Sequence, residues 1–136
     1  MTYKTLHTAI ALLLSAIAFG QTNAEEDGSY GNFRLGCYGI SFYENDEWTE
    51  MEAMKGVFHL NIDDNLASFI AFEKLHQYDL FDISFENEDS TTTFTAGALD
   101  DNGDQLMIII KTTEYIDFNV VFLIYDEWGV QLLTSN

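Results

Sequence analysis

From residue 32 onward the chain alternates short apolar and aromatic runs with Asn, Asp and Gly, one break falling roughly every 8–12 residues. That spacing predicts an all-β domain, with antiparallel strands near 32–43, 56–63, 66–74, 79–86, 91–100, 105–113, 117–125 and 130–134. Tight turns between neighbours make a meander of about 7–8 strands, which closes as a small barrel or folds as a two-layer sandwich.

Two turns carry a register, and a third is legible by type. A two-residue loop at Asp64-Asn65 sets Ile62 opposite Ala67, Leu60 opposite Phe69 and Phe58 opposite Ala71, so that one face is wholly apolar. A one-residue slip destroys that segregation. Asn102-Gly103 is a strong hairpin signal and pairs Leu99 with Leu106, Gly97 with Ile108 and Thr95 with Ile110. Asp126 through Gly129 reads as a type I turn, with Asp first and Gly fourth.

The runs Leu106–Ile110 and Val120–Ile124 are apolar on both faces, so something must cover their outer side. Residues 46–55 are one cover. As a short helix they have Asp46 as cap, Trp48, Met51 and Met54 as the apolar side, and Lys55-Gly56 as the end. As a strand they follow a hairpin turn at Asn45-Asp46. A second copy of the chain, giving a homodimer, is the other cover.

Composition changes the picture in two ways. Of 136 residues, 47% are hydrophobic and 15% aromatic, which excludes disorder. With 23 acidic residues against 5 basic ones the net charge is −18. A field of that sign excludes nucleic acid and anionic lipid as partners and favours cationic ones. The acids all follow Ala24.

Before them, Lys4, the apolar run Ala9–Phe19 and a small residue at Ala24 have the layout of a secretory signal peptide. That run is shorter than the about 20 residues of a membrane-spanning helix. Residues 1–24 are therefore expected to be a cleaved leader, and 25–136 a single acidic β domain, secreted or periplasmic, with no membrane insertion after cleavage. An outer-membrane barrel fits poorly. Its strands would consume nearly the whole domain, and Glu73, Asp79 and Asp82 interrupt the apolar bands it needs.

Signals of chemistry are weak. Asp100-Asp101-Asn102-Gly103-Asp104 begins like a calcium loop, but Gln105 and Lys111 stand where that loop demands Gly and Glu, so a hairpin tip explains it better. His59 sits on a strand and His76 in an expected turn, His76-Gln77-Tyr78-Asp79, without partners at zinc-ligand spacing. Leu35-Gly36-Cys37 departs from a lipoprotein box at Arg34 and lies far from the leader, which leaves Cys37 as a small buried strand residue. No nucleophile elbow or phosphate loop is present, so no enzyme, metal or cofactor is expected.

The expected function is that of an exported, soluble, non-catalytic binding domain. Its first form is an inhibitor-like module for a cationic protein, using the aromatics Tyr43, Trp48 and Trp128. The alternative is a small barrel that carries an apolar ligand against Phe58, Leu60, Phe69 and Phe94.

Overall fold

Along Asn32–Cys37 every second side chain is buried, and the same alternation runs through the long strands that follow. In the computed structural model, which describes residues 31–135, there is no helix among the described residues. The strands are β1 (Asn32–Glu44), β2 (Glu47–Trp48), β3 (Glu52–Asn61), β4 (Leu66–Ala71) and β5 (Lys74–Glu88). They continue with β6 (Thr91–Leu99), β7 (Gln105–Thr113), β8 (Phe118–Ile124) and β9 (Gly129–Ser135). The expected leader, residues 1–24, lies outside the described residues.

β1 pairs antiparallel with β3, each strand from β3 to β9 pairs antiparallel with the next, and β9 returns to β1, so eight strands close into a barrel with β2 as an appendage on β1. Closure removes the sheet edges that a sandwich leaves open. Two long strands make it geometrically feasible. The first half of β5 pairs with β4 and the second with β6, Asp79 being opposite both Leu66 and Leu99. A bulge between Phe81 and Ser84, with Asp82 at φ 51°, bends the strand past that point. β1 does the same between β3 and β9, with Tyr38 as the extra residue against β9, while against β3 the extra residue falls on β3 at Met54-Lys55.

Inward positions build one core. Phe33, Phe58, Phe85, Ile108 and Leu132 are at most 1% exposed, and the Phe85 and Phe94 rings meet edge to face with centroids 5.2 Å apart. An eight-stranded barrel is just wide enough for such side chains to fill it. At one end the filling turns polar. Thr134 donates to the Asn119 carbonyl oxygen, while the buried Thr112 hydroxyl has no partner.

Several expectations are corrected in detail. The Asp64-Asn65 loop holds four residues, 62–65, because the Asn61 side chain accepts from Asp64 N–H and donates to its carboxylate. Phe58 therefore faces Phe69, and Leu60 faces Ala67. A shift of two leaves every side chain on its expected face. The Asn102-Gly103 hairpin has a five-residue loop, so Leu106 pairs with Ala98 and Ile108 with Ala96, a slip of one that turns Leu99 outward. The β8–β9 turn comes one residue early, Tyr125 N–H donating to the Trp128 carbonyl.

The expected turn at His76–Asp79 lies instead at Phe72-Glu73, and His76 is within β5. Residues 46–55 form no helix. Asn45 and Asp46, at φ 55° and 65°, make the hairpin turn, and the segment continues into β2 and β3.

This same connection covers part of β8, while the outer side of β7 stays open, with Met107 46% exposed. Trp48 packs on Phe122 with ring centroids 6.0 Å apart, and Met51 lies over Gly39 and the Leu133 side chain. Gly39 is what permits that approach, since a Cβ there would stand 3.1 Å from the Met51 sulfur.

Candidate interaction site at the loop end of the barrel

The β6–β7 loop, residues 100–104, is built around one carboxylate. Asp100 Oδ1 accepts from the backbone N–H of Asn102 and of Asp104, both at 2.9 Å. Gly103, at φ 81°, supplies the left-handed residue that returns the chain to β7. The second oxygen, Oδ2, accepts from the Tyr125 hydroxyl at 2.9 Å, which ties this loop to the β8–β9 turn. Asp101 does the same toward β5. Its Oδ2 accepts from Gln77 N–H at 3.2 Å, where β5 has run past the end of β6.

Tyr125 lies flat on Trp128, with ring centroids 4.3 Å apart and planes 4° from parallel. Trp128 is 46% exposed. The stack stands between two open concavities. One, of about 280 Å³, is bordered by Lys74, His76, Asp100, Asp101 and Asp104. The other, of about 360 Å³, is bordered by Asp104, Asp126 and Glu127. Burial raises the Asp100 carboxyl, but the bonds from Asp104, Tyr125 and Asn102 outweigh it and hold the group below its usual 3.8. Burial first, and the Asp100 carboxylate second, push the Tyr125 hydroxyl well above 10.0. Tyr78, buried nearby, moves the same way through burial and then the charges of Asp100 and Asp101.

At neutral pH the tyrosines are thus neutral, and Asp100 is charged and held in place. Aromatic faces within an anionic rim attract guanidinium and ammonium groups, by charge at long range and by cation–π contact at short range. Among the described residues, no group of three or more His, Cys, Asp or Glu is arranged to hold a metal ion.

Of the aromatics expected at a binding surface, Trp128 belongs to this site. Tyr43 and Trp48 form a separate pair, edge to face at 5.3 Å, on the neighbouring outer wall. The two groups come close at Gly129, where a Cβ would lie 3.7 Å from the Trp48 ring. Phe58, Leu60, Phe69 and Phe94 are buried in the barrel, at most 6% exposed.

Tyr125 was not singled out from the sequence, and Asp100 only as the start of a calcium-like run read as a hairpin tip. Tyr125 adjoins a legible turn, and an aromatic at each end of the two-residue tip Asp126-Glu127 was the available sign. His59 points outward beside the Asn32 side chain, to which it is hydrogen-bonded. Burial and then the Arg34 charge lower its pKa below 6.5. Comparison with protein-family models, curated proteins and solved structures finds no match to this chain.

Proposed function

We propose that this protein is an exported, soluble, non-catalytic binding domain that docks a cationic protein in the manner of an inhibitor. One observation carries the reading. The Tyr125–Trp128 stack is open to solvent between two acid-bordered concavities, in a chain of net charge −18. The field draws a basic partner in, and the exposed indole supplies the anchor that area alone does not. The interior reading, an apolar ligand among Phe58, Leu60, Phe69 and Phe94, has less support, because those side chains pack against one another in the barrel. Export rests on the leader-like pattern of residues 1–24.

The test is calorimetric titration against cationic hydrolases, a lysozyme first, over rising salt. Specific docking keeps measurable affinity at about 0.5 M salt, where bare attraction between exposed charges is screened out. Trp128→Ala is expected to weaken it at least about 30-fold, the level of a buried aromatic anchor. Binding that vanishes at modest salt, or that ignores Trp128→Ala, is nonspecific attraction and refutes the proposal.

A further inference from the structure

One wall of the barrel departs from the charge of the rest. The outward positions of β1, β3, β4 and the start of β5 line up in cross-strand rows. Arg34, His59, Ser68 and Gln77 form one row, and Gly36, Val57, Ile70 and Leu75 form the next. Beyond them stand Tyr38, Lys55 and Phe72. None of these positions is a carboxylate, although the chain has 23 acidic residues. Glu73, at the hairpin tip, marks one rim, and Asp79, Asp100 and Asp101, beside the Gln77 end of the first row, mark the other.

This wall is also apolar where it is bare. Tyr38 is 46% exposed, Ile70 and Leu75 are each 49% exposed, and Phe72 is 72% exposed. Phe72 is the telling residue. It occupies the first position of a two-residue hairpin loop at φ 53°, followed by Glu73 at φ 61°, a turn that Asn-Gly fits and phenylalanine strains. A large ring held in solvent on a strained backbone stabilises nothing within its own chain.

We propose that this wall is a self-association surface, on which a second copy of the chain docks face to face about a two-fold axis. Two chains of charge −18 repel one another. Contact is therefore confined to the part of the surface where that repulsion is least, and the rows from Gly36–Leu75 to Tyr38 and Phe72 are apolar and carry no carboxylate of their own. Charge complementarity adds to it. Arg34 and Lys55 on the wall meet the Glu73 rim of the second copy, and an isologous contact makes that pairing twice. Four strands at about 4.8 Å and six residues at about 3.3 Å give a plan area of about 400 Å². Stable interfaces bury about 800 Å² per partner, so the dimer is weak and concentration-dependent. The surface adjoins the Tyr125–Trp128 site at Gln77, whose N–H Asp101 accepts, but includes neither of those aromatics.

Sedimentation velocity of the purified protein, from about 1 µM to about 1 mM, tests the proposal. A monomer–dimer equilibrium is expected, and it tightens when salt rises, because screening relieves the residual repulsion. Salt works in the opposite sense on docking of a cationic partner. Ile70→Glu with Leu75→Glu should weaken the dimer at least about tenfold. Phe72→Asn, which relaxes the turn and so keeps the fold, should weaken it as well. Trp128→Ala should leave it unchanged, which separates this inference from the proposed function. A protein that stays monomeric throughout overturns the proposal, as does a dimer indifferent to Phe72→Asn and the double substitution.

Discussion

Replacing Asp100 tests how the loop end is held together. Its carboxylate accepts from Asn102 N–H, Asp104 N–H and the Tyr125 hydroxyl, each at 2.9 Å. In Asp100→Ala all three donors turn to water. Hydrogen bonds to a charged group contribute about 1.5–3 kcal/mol when dry, but this loop is wet, and about 0.5–1 kcal/mol each is the reasonable scale. The loss is about 2 kcal/mol, or about 10 °C in Tm for a domain of this size. Asp100→Asn keeps an oxygen for the two backbone donors and turns an amide toward Tyr125, so it should cost about half as much.

Acid adds a second axis. The Asp100 pKa is lower folded than its ordinary 3.8, so its contribution is fully present above that pH and is lost as pH falls below it. The gap between the native protein and Asp100→Asn should therefore close on acidification. Urea unfolding read by tryptophan fluorescence suits the measurement, since Trp128 lies on Tyr125. Glu127→Gln removes equal charge from the same end and is the control. If Asp100→Ala unfolds like Glu127→Gln at neutral pH, or if the gap to Asp100→Asn is the same in acid, the loop is not built as described.

Phe72→Asn should raise stability by about 1 kcal/mol in dilute protein, because Asn tolerates the left-handed backbone that costs Phe about 1–2 kcal/mol; chemical denaturation reads the gain. Gly56→Ala should cost about 1–3 kcal/mol, since its Cβ would lie 2.5 Å from the Ile70 carbonyl oxygen and force β3 from β4; loss of amide protection in both strands would show it. Burial pushes the Cys37 thiol up to about 11, from 9.0, so alkylation at mildly basic pH should await unfolding; modification at native rates would contradict its place in the core. Tyr78 and Tyr125 have folded pKa values above their ordinary 10.0, so the stability they contribute is present below that pH and lost above it; Tyr125→Phe should flatten the alkaline fall in a melting series.

Where the chain wrote its turns in Asn, Asp and Gly, they could be found. Asn45-Asp46, the 62–65 loop and the 100–104 loop all contain such residues, and all are turns. Loop lengths were less legible. Two versus four residues at 62–65 depended on the Asn61–Asp64 side-chain bonds, and the slip at 100–104 on both oxygens of Asp100. Phe72-Glu73 had no turn chemistry at all. The hairpin there is imposed by pairing of β4 with β5 on either side, and the strain is borne locally. Trp128 was legible as an exposed aromatic beside a turn. Its stacking partner was not, since Tyr125 lies flat on it only because the β8–β9 turn falls one residue early.

Period-two burial and its punctuation belong to the sequence, and they determine strands, faces and an acidic exterior, because which side of a strand meets water is a local matter of alternation. Closure into a barrel, the fold of Trp48 and Met51 over the outer wall, and the meeting of Asp100 with Tyr125 were decided by the tertiary structure. Those outcomes join residues far apart in the chain through bulges and loop lengths. The lengths of the 62–65 and 100–104 loops rest on side-chain hydrogen bonds, and the one from Tyr125 to Asp100 exists only once the strands have come together.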